Sequence, residues 1–418
     1  MKKPALRFKG FDGEWDNVPF DKGMSFLSNN TLSRADLNNV AGDVQNVHYG
    51  DVLIKFGEVL DLTKEELPFI NAGFDFSKLS SSILTDGDIV IADTAEDETA
   101  GKCTEIRNVE NKKVLAGLHT MPCRPNAKYA SGYLGYYMNS PAYHNQLLKY
   151  MQGTKVISIS KSALGNTVLA CPSDVTEQKA IGSFFTELDS LIEGKRVKLD
   201  KLKKLKLAYL GKMFPKKGVR VPEVRFKGFS GDWEEKTLGS IAEIVGGGTP
   251  STSNPDYWNG SIDWFSPTEI GESPYAECSR KKLTQKGFDN CSANMLPALK
   301  TILFTSRAGI GDAAILKVDA CTNQGFQSIV LKDGIDTYFI YSMTPQIKDF
   351  ALIHASGSTF LEISGKVLAS MPILHPSLPE QQKIGAFFQN LDNLIGLQQQ
   401  ELDKLTNIKS ACLSKMFA

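Results

Sequence analysis

Glu177-Gln178-Lys179-Ala180-Ile181-Gly182-Ser183-Phe184-Phe185 returns later as Glu380-Gln381-Gln382-Lys383-Ile384-Gly385-Ala386-Phe387-Phe388. The agreement continues at one constant offset. It takes in Leu188-Asp189 and Leu391-Asp392, then Leu199-Asp200-Lys201-Leu202 and Leu402-Asp403-Lys404-Leu405, and closes with Lys212-Met213-Phe214 and Lys415-Met416-Phe417. In the first copy Leu188, Leu191, Ile192, Leu199, Leu202, Leu205, Tyr209 and Met213 recur at spacings of three, four and seven, the mark of a helix with one apolar stripe. In the second copy Leu391, Leu394, Ile395, Leu402, Leu405, Ile408, Cys412 and Met416 do the same. Asp174 before Glu177 and Ser377 before Glu380 have the spacing of capping boxes, and Pro379 suits a first turn. Some 40 residues of helix extend ~60 Å, and a stripe of that length needs a cover. The two stripes are expected to cover one another. The connection permits parallel or antiparallel pairing; two equivalent halves related by a twofold favour antiparallel.

A second phrase is also duplicated. Arg7-Phe8-Lys9-Gly10-Phe11, ending at Trp15, matches Arg225-Phe226-Lys227-Gly228-Phe229, ending at Trp233. The phrases recur at a longer interval than the helix starts, so the stretch between them is shorter in the second half. The chain is therefore two copies of one plan: opening phrase, variable domain, long helix. The variable domains share pattern more than sequence. Short strands are expected over 84–92 and 300–306, and helices near 133–150 and 338–352. Glycine loops follow at 153–155 and 357–359, then closing strands that end at Pro172 and at 372–376. The expected fold is α+β, with two pseudo-symmetric globular domains (1–173 and 218–376) separated by two long helices (174–217 and 377–418) that form an antiparallel coiled coil.

With 418 residues, 42% hydrophobic and 22% charged, the composition is that of an ordinary globular protein. No apolar run is long enough for a bilayer, and Met1-Lys2-Lys3-Pro4 lacks the apolar core of a signal peptide, so a cytoplasmic protein without membrane contact is expected. The seven cysteines are scattered without a C-x-x-C pair, and no metal site is expected. Basic and acidic residues balance at 47 each, yet residues 195–220 are strongly basic around the single acid Asp200. That run could follow a phosphate backbone, but the solvated face of a long helix is its more ordinary reading.

Catalytic signatures fail on inspection. Asn254-Pro255-Asp256-Tyr257 departs from the N-P-P-Y pattern that holds a flipped base, and it reads as a turn. Gly246-Gly247-Gly248-Thr249 lacks the ending of a phosphate loop. His119, His144 and His375 have no metal-ligand spacing.

The duplicated opening phrase, the E-Q-x-x-I-G-x-F-F helix starts, and Gly248-Thr249-Pro250-Ser251 running through Tyr257-Trp258-Asn259-Gly260 to Trp264-Phe265-Ser266-Pro267 resemble the specificity subunits of type I restriction-modification systems. Gly117-Leu118-His119-Thr120 and Thr322-Asn323-Gln324-Gly325-Phe326-Gln327 share the resemblance, which covers the whole chain. It implies two target-recognition domains, each reading half of a bipartite asymmetric DNA site, and an antiparallel helix pair that sets the spacer. It also implies two methyltransferase (modification) subunits on the helices and ATP-driven restriction subunits. S-adenosylmethionine, ATP and Mg are expected on those partners, with no cofactor and no catalytic residue in this chain.

Side chains suited to base edges then single out Lys102, Arg107, His119, Arg124, Thr154 and Lys155 in the first domain. In the second they single out Thr249, Ser251, Arg280, Lys281, Lys282, Ser306, Arg307, Ser358 and Thr359. Phe184, Phe185, Leu188, Leu191, Leu202 and Leu205, with Phe387, Phe388, Leu391, Leu394, Leu402 and Leu405, are the expected helix seam and partner surface. The competing readings are a self-contained DNA-modifying enzyme, which needs its own S-adenosylmethionine site, and a coiled-coil assembly protein that does not act on DNA.

Overall fold

The computed structural model describes residues 3–307, 309–357 and 361–418. Contacts divide the chain into two units: Met1–Lys195 with Leu402–Ala418, and Arg196–Glu401. The long helices, Val175–Met213 and Leu378–Lys415, contribute a segment to each. No helix among the described residues is long and apolar enough to cross a membrane.

The central sheets of the two units share one topology. In the first, the central sheet runs Met24–Phe26, Thr120–Pro125, Ile89–Ala92, Cys103–Arg107, Val59–Asp61, antiparallel except for the last, parallel pair. In the second it runs Ala242–Gly246, Gln327–Leu331, Thr301–Phe304, Ala313–Leu316, Tyr275–Ala276, with the same parallel edge. Each unit adds a side sheet whose entering strand is parallel to its neighbour: Val114–Ala116 beside Gln45–Val47, and Ala320–Thr322 beside Trp258–Phe265. Opening and closing strands pair in both, Trp15–Pro19 with Val168–Pro172 and Glu234–Thr237 with Pro372–His375. The α+β expectation holds, with two corrections. The helices near 133–150 and 338–352 each split, into Tyr133–Asn139 and Pro141–Leu148 and into Thr337–Ser342 and Thr344–His354. Pro141 and Pro345 lack the N–H that a continuous helix needs, and each opens a new one instead. The strand of 84–92 shortens to Ile89–Ala92 because the Asp88 carboxylate accepts from Thr85 N and closes a turn ahead of it.

The duplicated helix starts owe their composition to three contacts. Glu177 does not close a capping box: its carboxylate is buried and takes both arms of Arg7 in the opening phrase, at 2.6 and 2.7 Å. Glu380 takes Arg225 in the same way, at 2.7 and 2.8 Å. Gln178 accepts from Ala130 N and donates to Pro172 O, tying the helix to the closing strand, and Gln381 does so with Asp336 N and Pro376 O. The glycine is dictated by close approach. A Cβ on Gly182 would lie 2.6 Å from Ser131 O, and one on Gly385 2.2 Å from Asp336 Oδ1.

The far ends of the helices complete the cores. In the first unit Phe417 stacks on Phe185 at 5.7 Å and meets Trp15 and Tyr133, while Lys409 Nζ lies 2.7 Å from both Asp189 and Glu58. In the second unit Phe214 lies against Phe388, Phe339 and Trp233, and Lys206 Nζ is 2.6 Å from Asp392. Asp189 and Asp392 also accept from Tyr136 and Tyr338. In each unit the contact partner moves backward along one helix as position advances along the other, so the paired segments are antiparallel. The stripes do not cover one another throughout. Phe185, Leu188, Phe388 and Leu391 are buried, Leu202, Leu402 and Leu405 are half-buried, and Leu191, Leu205 and Leu394 are exposed. Phe184 and Phe387 are half-buried and turn to Phe8 and Phe226 of the opening phrases instead.

Candidate nucleic-acid interface

In both units a short loop carries the chain from the side sheet into the central sheet, residues 117–119 in the first and 323–326 in the second. Exposed polar side chains gather around each. In the second unit two tryptophans shape the neighbouring glycine-rich segment: Trp264 Nε1 donates to Gly248 O at 2.8 Å from a buried position, and Trp258 Nε1 to Ser251 O at 3.2 Å. Thr249 donates to the exposed Gln324 at 2.6 Å, Ser251 pairs with Ser253, and Lys281 lies 5.5 Å over the Trp258 ring. Asn254-Pro255-Asp256-Tyr257 forms a turn, as read, with Asn254 Oδ1 accepting from Asp256 N.

In the first unit His119 occupies this loop with a left-handed backbone (φ 56°). Its Nδ1 is 3.3 Å from Asp93, and its ring meets Tyr49 edge-on at 5.3 Å. Arg34, Asp51 and His48 continue the patch: the Arg34 guanidinium holds Asp51 at 2.7 and 2.9 Å, and burial pushes His48 down, helped by Arg34. Gln324, Tyr49 and Arg34 were not among the candidates chosen by residue type. The quoted T-N-Q-G-F-Q segment contained the signal for Gln324; Tyr49 and Arg34 had none.

The other candidates scatter. Thr154 and Lys155 are exposed on a loop closed by reciprocal bonds between Gln152 and Ser158, and Gly153 takes a φ of 114° there. The matching loop is closed by Ser356 and Glu362, while Ser358 and Thr359 fall outside the described residues. Arg280 is exposed, and its backbone N–H donates to Glu269. Arg307 is half-buried in a bridge with Glu362, and Arg107 lines a cleft of about 850 Å³ shared with Lys128 and Lys179.

Four candidates are engaged within the unit or buried. Lys102 is half-buried, donates to Leu53 O at 2.7 Å, and is held below its ordinary pKa by burial. Arg124 grips the buried Asp88 at 2.7 and 2.9 Å, which raises the arginine pKa. Lys282 is paired with Asp263 at 3.0 Å, and Ser306 is wholly buried.

Glu105 does unforeseen work in the first unit. Its buried carboxylate accepts from Gly132 N at 2.5 Å and Gly135 N at 3.0 Å, capping the helix Tyr133–Asn139 from a neighbouring strand. In the second unit Asp336 caps the equivalent helix from its own first position, accepting from Phe339 N. Burial raises the Glu105 pKa to about 6, while those N–H groups pull the other way.

One recognition fold, present twice on a duplicated pair of helices and carrying different loops, defines the class: a two-domain scaffold that presents two diverged polar surfaces. Residues 230–407 match the model of the type I restriction modification DNA specificity domain. Over 181 residues the chain is 38% identical to the type I restriction enzyme MjaIX specificity subunit of Methanocaldococcus jannaschii, covering 42% of each chain. Over 338 residues it is 25% identical to the putative MjaX specificity subunit of the same organism, covering 78% of this chain and 77% of that one. The crystal structure of a type I restriction-modification system S subunit from M. genitalium shares the fold, with a TM-score of 0.62 at 16% identity over 100% of this chain and 99% of that one. The chain spans 42% of the length of the first relative. Its second half thus matches the DNA specificity domain of type I restriction-modification systems, and most of its length is similar to a specificity subunit of that kind.

Proposed function

We propose that the chain is the non-catalytic DNA-reading subunit of a type I restriction-modification complex. Each recognition domain takes one half of a bipartite, asymmetric target, and the long helices set the spacer between the halves. One observation carries the reading: the strand order of the central sheet and the contacts of the helix starts are the same in both units, while the loops are not. His119, beside Tyr49, lies on the entry loop of one unit, and Gln324, beside Thr249, on that of the other. A scaffold that kept its framework and changed its loops is suited to two different half-sites.

The helices also dock two methyltransferase subunits, which bring S-adenosylmethionine; restriction subunits bring ATP and Mg. Supporting this, the equivalent residues Leu191 and Leu394 are 48% and 53% exposed, and Leu205 and Ile408 44% and 39%. Large apolar side chains left open at matching places on both helices suit one kind of partner bound twice. With basic and acidic residues balanced at 47 each, the chain alone binds DNA weakly, and its partners supply much of the phosphate attraction.

The test is co-expression with a modification subunit and mapping of methylated adenines by single-molecule sequencing. A split motif is expected, with one half altered when residues 246–364 are exchanged for those of another family member. A palindromic motif, or no methylation, refutes the reading.

A further inference from the structure

Gln324 stands out among the exposed polar side chains because it is aimed. The loop that carries it is clamped from three sides. Gly248 N donates to Thr322 O at 2.8 Å, Asn323 N to Phe265 O at 3.0 Å, and Gly325 N to Asn323 Oδ1 at 2.8 Å. The glycine-rich segment approaches so closely that a Cβ on Gly247 would fall 2.1 Å from Asn323 O, and one on Gly325 2.6 Å from the Pro267 ring. Trp264 anchors the same segment from the buried side through Gly248 O. The backbone under Gln324 is thereby fixed, and the Thr249 hydroxyl fixes the side chain by donating to Oε1 at 2.6 Å. No described residue accepts from Nε2.

With its oxygen beside Thr249 the amide offers solvent two N–H donors and the second lone pair of Oε1; with its ends exchanged the hydroxyl would accept instead of donate, and a donor and an acceptor would still face solvent. That pairing matches the major-groove edge of adenine, where N7 accepts and N6–H donates. Guanine presents two acceptors there and repels the amide oxygen. The side-chain entropy that such a contact normally costs has already been lost in the free protein.

We infer that Gln324, positioned by Thr249, reads one adenine in the half-site taken by the second unit. The inference rests on the DNA-reading function proposed above. His119 occupies the corresponding loop of the first unit, so the loop that enters the central sheet is the reading position in both.

The test uses the full chain in complex with modification subunits and a pool of duplexes with randomised sequence, recovering those that bind. The wild-type complex should select a two-part motif. Gln324→Ala should lose about tenfold or more of the preference at a single A·T pair and leave every other position unchanged. Thr249→Val should relax the same pair and Thr249→Ser should restore it. Replacing that adenine by 7-deazaadenine should weaken the wild-type complex and leave Gln324→Ala unaffected. An unchanged motif in Gln324→Ala overturns the inference. So does loss of the whole half-site together with a lowered melting temperature, which would make Gln324 a structural residue. A wild-type complex that selects no sequence refutes the DNA-reading function itself.

Discussion

Replacing Arg225 by alanine strands a carboxylate. Glu380 is 1% exposed, and both its oxygens are taken by the guanidinium, at 2.7 and 2.8 Å. Removing one member of a buried ion pair typically costs about 3–5 kcal/mol, because the remaining charge stays desolvated. The Arg225 side chain is itself 13% exposed, so some water reaches the site and the low end, about 3 kcal/mol, is the expected loss. For a unit of this size that lowers Tm by roughly 6–12 °C. Tryptophan fluorescence during urea unfolding is a suitable assay, since Trp233, Trp258 and Trp264 lie in the second unit and only Trp15 in the first. Arg225→Met combined with Glu380→Leu removes both charges and should recover most of the loss. A loss below about 1 kcal/mol for Arg225→Ala, the range of an exposed pair, would refute the view that the opening phrase is clamped to the helix by a buried pair.

Three further outcomes are expected. Gly385→Ala drives a Cβ to 2.2 Å from Asp336 Oδ1 and should destabilise the second unit by about 2 kcal/mol or more, whereas Gly211→Ala meets open space and should stabilise it by up to about 1 kcal/mol; urea midpoints of the two variants decide this. The half-buried Lys409 loses pKa to desolvation but recovers more from Glu58 and Asp189, so Lys409→Met should cost the first unit about 2 kcal/mol, and a double-mutant cycle with Asp189→Asn should show coupling above about 1 kcal/mol. The Glu105 pKa is about 6 in the folded chain against an ordinary 4.5, so its contribution to stability is fully present below 4.5 and is lost as pH rises through 6, about 2 kcal/mol in all; Glu105→Gln should flatten that limb of the first unit's stability profile.

The duplicated framework was readable because helix periodicity, repetition and proline placement are properties of adjacent residues. Roles set by distant partners were not. Glu177 and Glu380 sit where a capping box would put them, yet each is claimed by an arginine from the opening phrase of its own half. Arg124 and Lys282 have the right chemistry for DNA, but each is committed to an aspartate brought in by the sheet. Leu191 and Leu394 fit the apolar spacing and still face outward, because a stripe marks a face without stating what covers it. The loops that enter the central sheets followed the same rule. Thr249 and His119 were chosen by residue type, whereas the placement of Gln324 depends on a hydroxyl 75 positions away in sequence.

The first unit is drawn from both ends of the sequence, with Phe417 seated among Trp15, Tyr133 and Phe185. The second is a single continuous stretch, Arg196–Glu401. During synthesis the second unit therefore has all its residues before the first does, although it is translated later. At roughly 5–20 residues per second, the socket for Phe417 waits ~10–40 s after Lys195 has been added. Over that interval its aromatic lining is open to chaperones, to wrong partners, and to Phe417 of another nascent chain.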